Sequence, residues 1–115
     1  MLPLVNRITT SSEFQSVLNS GLKDYQKSLA VFMKPTSTPS RLGLIINRKV
    51  GNAVKRHLLS RRAREVFKKI LATNPNGFDI VVKFSTKFNN PSFQEIDSEL
   101  NRAIKNLLER KLVED

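Results

Sequence analysis

Ten Lys and Arg residues lie between Arg41 and Lys69, against one acid, Glu65. The chemistry such residues perform is phosphate recognition. A guanidinium presents a planar fork that bonds two phosphate oxygens at once, and Arg outnumbers Lys here. Acid–base or metal-assisted hydrolysis would need a different set. It requires a positioned pair with tuned pKa or clustered carboxylates for a metal. The acids before the last 24 residues are only Glu13, Asp24, Glu65 and Asp79. Glu13 reads as a helix cap, Glu65 as an i,i+4 partner of Lys69 or Arg61, Asp24 as a turn residue and Asp79 as a lone strand residue. No catalytic residue is assigned. With no Cys and one His, His57, thiolate chemistry, disulfides and Cys- or His-cluster metal sites are excluded.

The cations need an element to carry them. "VGN" opens a helix with Asn52 as N-cap, and "TNPNG" stops it. At 100° per residue, Leu59, Ala63, Val66, Phe67 and Ile70 share one stripe, which should pack on a sheet. His57, Arg61, Arg64 and Lys68 line the opposite ridge. Lys55 and Arg56 sit in the first turn, where a cation opposes the helix dipole. That placement makes sense if phosphate oxygens occupy this end, since free backbone N–H groups and cations then converge on them. Arg48 and Lys49, just upstream, extend the same patch.

Around this helix, "TSSEF" is a capping box, Thr10 with Glu13, and begins a helix that ends at Gly21. "YQKSLAVFMKP" alternates as a strand closed by Pro35, and "PTSTPS" reads as a loop. "RLGLIIN" is a strand expected to form a hairpin with the one before it. "FDIVVKF" is a further strand. Ser92 and Glu95 form a second capping box, and Ile96, Leu100, Ala103, Ile104 and Leu107 make the stripe of a last helix. The order, helix, strands, helix, strand, helix, predicts an α+β domain, a two-layer sandwich around one sheet, within residues 1–115.

The chain has 115 residues and a formal net charge of +10. Residues 92–115 hold six acids and four bases, so the excess belongs to the basic helix and its approach. Such self-repulsion is usually offset by a polyanion. A solvated face is the plain alternative, but it would interleave Glu at i,i+4. A membrane-surface helix would need the apolar stripe that the sheet requires. A helix reading a DNA major groove would favour Asn or Gln among the arginines, and the ridge has none. No apolar run approaches the ~20 residues of a membrane span, and "MLPLVNRITTSSEF", with no charged segment followed by an apolar run, does not read as a secretory signal, so a cytoplasmic protein with no membrane partner is expected.

"RLGLIINRKVGNAVKRHLLSRRAREVF" resembles the signature of the bacterial ribonuclease P protein subunit: a strand, a Lys-Lys-Val-Gly-Asn-Ala-Val-like turn, and a helix reading Arg-Asn-Arg-x-x-Lys-Arg-x-x-Arg. "NRITTSSEFQSVLNSG" and "FDIVVKF" are similar to the family's first segment and last strand. Arg56, Arg61 and Arg64 match the helix arginines, Asn52 the residue opening it, and Arg48 and Lys49 the basic pair. His57, Leu58 and Ser60 stand where the family has Asn, Arg and Lys. Leu18 stands where a second aromatic commonly follows Phe14.

The resemblance implies an αβββαβα order with a left-handed βαβ crossover, the ribosomal protein S5 domain 2-like fold. It implies the protein subunit of a ribonucleoprotein endonuclease that removes the 5′ leader of precursor tRNA. In that family the RNA performs the hydrolysis with Mg2+, which the RNA and substrate hold. The partners implied are ribonuclease P RNA, one protein per RNA, and precursor tRNA. Arg48, Lys49, Asn52, Lys55, Arg56, His57, Arg61, Arg64 and Lys68 would contact the catalytic RNA. The leader would lie in a cleft between the first helix and the sheet, against Phe14, Arg7 and Tyr25. At helical spacing with Val17 and Leu18, Phe14 suits a core as well as a cleft. A structural RNA-binding protein of ribosomal type is the alternative function.

Overall fold

The computed structural model describes residues 2–87 and 91–114. Helix α1 (Ser11–Leu18) is followed by strands β1 (Leu22–Tyr25), β2 (Leu29–Pro39) and β3 (Arg41–Ile45). Helix α2 (Ala53–Thr73), strand β4 (Asn76–Phe84) and helix α3 (Phe93–Glu114) complete the chain. The strands form one sheet in the order β1-β2-β4-β3. The β1–β2 and β2–β4 pairs are antiparallel, and β3 runs parallel to β4 with α2 as the connection between them.

Local signals set the helix ends. Thr10 accepts from the Glu13 backbone N–H, and the Glu13 carboxylate accepts from the Thr10 N–H, the reciprocal pair of a capping box. Ser92 and Glu95 do the same for α3. Asn52 caps α2 by accepting from the Lys55 N–H at 2.9 Å. At the far end of α2 the Asn74 N–H reaches back to the Ile70 carbonyl. Helix α1 stops at Leu18, and Gly21 follows with φ 89, a left-handed turn that leads into β1.

The pleat sorts side chains onto two faces. Leu29, Val31 and Met33 of β2, Leu42 of β3 and Ile80 and Val82 of β4 join the stripes of α2 and α3 in the main core. Every residue of the expected α2 stripe is buried, as is every residue of the α3 stripe. Helix α3 lies over β1 and β2, with α2 beside it. On the other face α1 covers a smaller cluster of Ile8, Val17 and Val81, with Phe14, Leu18, Phe32 and Ile45 half-buried around it. The rest of that face is open.

Two sequence expectations are corrected. Strand β3 does not form a hairpin with β2; it pairs with β4 instead. The alternation of Leu42 and Leu44 selects a face of the sheet, and either neighbour satisfies it. Nor does β2 stop at Pro35: it runs on through the expected loop to Pro39, with its register against β4 shifting between the two prolines. Beyond Met33 it has no β1 partner. Proline, which cannot donate to a ladder, is tolerated on such a one-sided stretch.

Candidate nucleic-acid interface

The basic surface is built on the segment from Asn47 to Lys68. Asn47 accepts from the Lys49 N–H at 2.9 Å and starts a 3-10 turn, Arg48–Val50. Val50 is buried and pins that turn to the core, so Arg48 and Lys49 project outward. The Arg56 Nε–H donates back to the Gly51 carbonyl at 3.2 Å, which holds its guanidinium beside the N-terminus of α2. Lys55 folds over Gly51, where an added Cβ would meet its Cδ at 2.5 Å. On the ridge His57, Arg61 and Lys68 are exposed and Arg64 is half-exposed.

Some of the chain's cations are engaged within the protein. Lys68 pairs with Glu65 at 3.1 Å, so the partner of Glu65 is three residues on rather than Lys69 or Arg61. That pairing lowers the Glu65 carboxyl and raises the Lys68 ammonium from their usual values. Arg62 donates to the Pro91 carbonyl at 2.8 Å, and Lys69 stands 4.9 Å from the Phe93 ring centroid. These two tie α2 to the start of α3.

Arg41, at the start of β3, binds Asp79 of β4 with Nε at 3.0 Å and Nη2 at 2.7 Å. Its Nη1 binds Glu13 of α1. Asp79 is therefore a buried partner of a bidentate ion pair and not a lone strand residue. Arg41, with Thr10 adding a smaller contribution, holds the Glu13 carboxyl down at about 2, and the two carboxylates raise the Arg41 guanidinium. Asp24 is likewise no turn residue. It is buried in β1, where it accepts from Arg110 of α3 at 2.9 Å.

The open sheet face forms a groove in two basins that meet at Ile45. The smaller basin lies between Phe14, Leu18 and Ile45. The larger, about 580 Å³, is lined by Tyr25, Phe32, Lys49, Lys83 and Lys87 among others. Tyr25 is 68% exposed and meets Phe32 edge-on, with centroids 6.5 Å apart at 81°. Phe14 packs so closely on Gly43 of β3 that a Cβ there would come within 2.6 Å of the ring. One side of the ring thus belongs to the minor core and the other to the groove.

Of the three leader-site residues read from the sequence, Phe14 and Tyr25 border this one groove in different basins. Arg7 does not line it. Its bridge partner is Leu42, on the α2 side of the sheet, and its Nε is buried without a hydrogen-bond partner. Sequence reasoning assigned no role to Gly43 or to the Arg41 bridge. The signal for the first was present, because a glycine inside a strand marks a close approach. Among the described residues no three His, Cys, Asp or Glu side chains converge on a metal position. No described helix is long and apolar enough to cross a membrane.

The family model described as Ribonuclease P matches residues 2–108. The ribonuclease P protein component of Kocuria rhizophila is 36% identical over 84 residues, covering 72% of this chain and 74% of that protein. The component from an Arthrobacter species is 31% identical over 112 residues, or 96% of this chain and 82% of the other. Among solved structures, the RNase P protein of Staphylococcus aureus superposes with a TM-score of 0.77 at 25% identity, over 87% of this chain and 93% of that one. The RNase P protein from Thermotoga maritima gives 0.75 at 28% identity, over 87% and 96%. With the signature strand, turn and basic helix, and with the match running nearly end to end, the chain belongs to the ribonuclease P protein family.

Proposed function

We propose that this ribonuclease P protein component engages nucleic acid through two adjoining surfaces during removal of the 5′ leader from precursor tRNA. The ridge and N-terminus of α2, carrying Arg48, Lys49, Asn52, Lys55, Arg56, His57, Arg61, Arg64 and Lys68, bind phosphates of the ribonuclease P RNA. Folded RNA is recognised mainly through its shape and backbone, and exposed guanidinium groups suit that task. The groove on the open sheet face takes the single-stranded leader. Aromatic platforms beside a basic track serve such a strand, each stacked base contributing ~1–3 kcal/mol with little sequence preference. Phe14 and Tyr25 are the platforms and Lys83 and Lys87 belong to the track. Arg7 is assigned a phosphate contact outside the groove. Mg2+ is held by the RNA and substrate, hydrolysis is the RNA's, and the complex is one protein per RNA in the cytoplasm.

The observation that carries this reading is the position of Lys49. It stands in the turn that leads into the basic helix and also lines the groove with Tyr25 and Phe32. A substrate strand in the groove would therefore run directly into the RNA-binding surface. The test is reconstitution with a bacterial ribonuclease P RNA at low magnesium. The protein should lower the magnesium needed for leader removal and should favour precursor over mature tRNA. Cleavage by the protein without RNA, or equal affinity for the two tRNAs, would refute the reading.

A further inference from the structure

Among the described residues, Arg41 is the side chain that reaches from the sheet to the first turn of α1. Its Nε and Nη2 hold Asp79 of β4, and its Nη1 holds Glu13. Glu13 immediately precedes Phe14, whose ring lies on Gly43 two residues along β3 from Arg41. Two other side-chain ties to the sheet lie further on, one at Ser16 within α1 and one at Ser20 just past its end. The Ser20 hydroxyl donates to the Met33 carbonyl at 2.6 Å, and Lys34 donates to Ser16 at 2.5 Å. Arg41 is thus the side-chain polar tie nearest to Phe14, between the Ile8 N–H bond to the Leu42 carbonyl upstream and these bonds downstream. A guanidinium suits the task, because its rigid fork can bind one carboxylate twice while a third N–H reaches another. At 24% side-chain exposure Arg41 is also too enclosed for a typical solvent-screened pair.

We infer that Arg41 is a positioning residue for the groove: by bridging Asp79 and Glu13 it sets the Phe14 ring on Gly43 and so fixes the aromatic wall offered to a single strand. The leader part of this inference rests on the groove reading above. The positioning part stands on the protein alone. A leucine-sized change at Gly43 is not needed to disturb it, since even a Cβ would displace the ring.

Two measurements separate the parts. The first is the NMR signal of the Gly43 α-protons, which the neighbouring ring must displace. Phe14→Ala should return it toward an ordinary glycine position. Arg41→Gln should move it the same way with the sheet amide pattern intact. Should Arg41→Gln fail to fold, Glu13→Gln removes the charge from the arm to α1 and leaves the pair with Asp79 in place. An unmoved Gly43 signal in the folded variants overturns the positioning. The second is a double-mutant cycle on precursor and mature tRNA binding by the reconstituted holoenzyme. Arg41→Gln should reduce the preference for precursor by no more than Phe14→Ala does, roughly 5- to 150-fold for one stacking platform. In the Phe14→Ala background it should have no further effect. Additive losses overturn the inference. A Gly43 signal that moves while Phe14→Ala leaves the tRNA preference unchanged removes the groove reading and keeps the positioning.

Discussion

Arg61 and Arg64 are the residues on which phosphate binding can be tested with least disturbance. Both project from the side of α2 opposite Leu59 and Ile70, and neither forms an ion pair among the described residues. Arg61→Ala and Arg64→Ala should each weaken binding to the catalytic RNA while leaving the melting temperature nearly unchanged. For every phosphate no longer neutralised, the slope of log K against log salt should become shallower by roughly 0.7–0.9. A titration series in KCl with thermal melts checks this. A lowered melting temperature with unchanged affinity would make the two arginines structural. Arg62 shows why neighbouring arginines are not equivalent: it binds the Pro91 carbonyl, so its replacement tests the α2–α3 junction first. At Gly43 the cost is steric. Gly43→Ala should destabilise the fold by about 1–3 kcal/mol through overpacking against Phe14, measured by urea unfolding. Unchanged stability would mean that the ring yields freely.

The elements differ in how far their own residues specify them. Both capping boxes, the Asn52 cap and the two apolar helix stripes were legible in the sequence because each is local. A cap is read from four consecutive residues and a stripe from a few turns of one helix. The partner of β3 was not legible, because alternation fixes a face and says nothing about neighbours. The same limit hid Arg41. In the sequence it is one cation among ten, and only the fold brings Glu13 and Asp79 to it. Two predictions belong here. Asn52→Ala should remove about 1 kcal/mol of stability, since α2 would lose the acceptor for its Lys55 N–H. Equilibrium urea unfolding measures it, and no loss would show that the cap is dispensable. The second concerns acid. Glu13 has a folded pKa of about 2 against an ordinary 4.5, so its pairing stabilises the fold fully above 4.5 and is lost as pH falls toward 2. Glu13→Gln should be less stable than the parent at neutral pH and should converge on it in acid. Parallel stability curves from pH 5 to pH 2 would contradict this.

On the scale of the whole molecule, the basic ridge and the groove are on opposite sides of the sheet. Helix α2 packs on the face of Leu42 and Ile80, while the groove opens on the face of Phe32 and Val81. They meet only around the end of β3, where the chain turns through Asn47, Arg48 and Lys49 into α2. That turn is fixed at both ends, by the Asn47 cap and by buried Val50. Lys49 is thus a cation at the junction, while Arg61 belongs to the ridge alone. The two positions should behave differently once the ribonucleoprotein is assembled. With protein and catalytic RNA at saturating concentrations, Arg61→Ala should leave the ratio of precursor to mature tRNA affinity unchanged, because its phosphates are engaged before substrate arrives. Lys49→Ala should lower that ratio, since the missing charge borders the leader. Its effect should shrink as salt is raised, as expected for an exposed phosphate interaction. Binding of both tRNAs across a KCl series, for both variants, provides the comparison. If Lys49→Ala leaves the ratio as unchanged as Arg61→Ala does, Lys49 serves the catalytic RNA only, and the two surfaces do not share a strand.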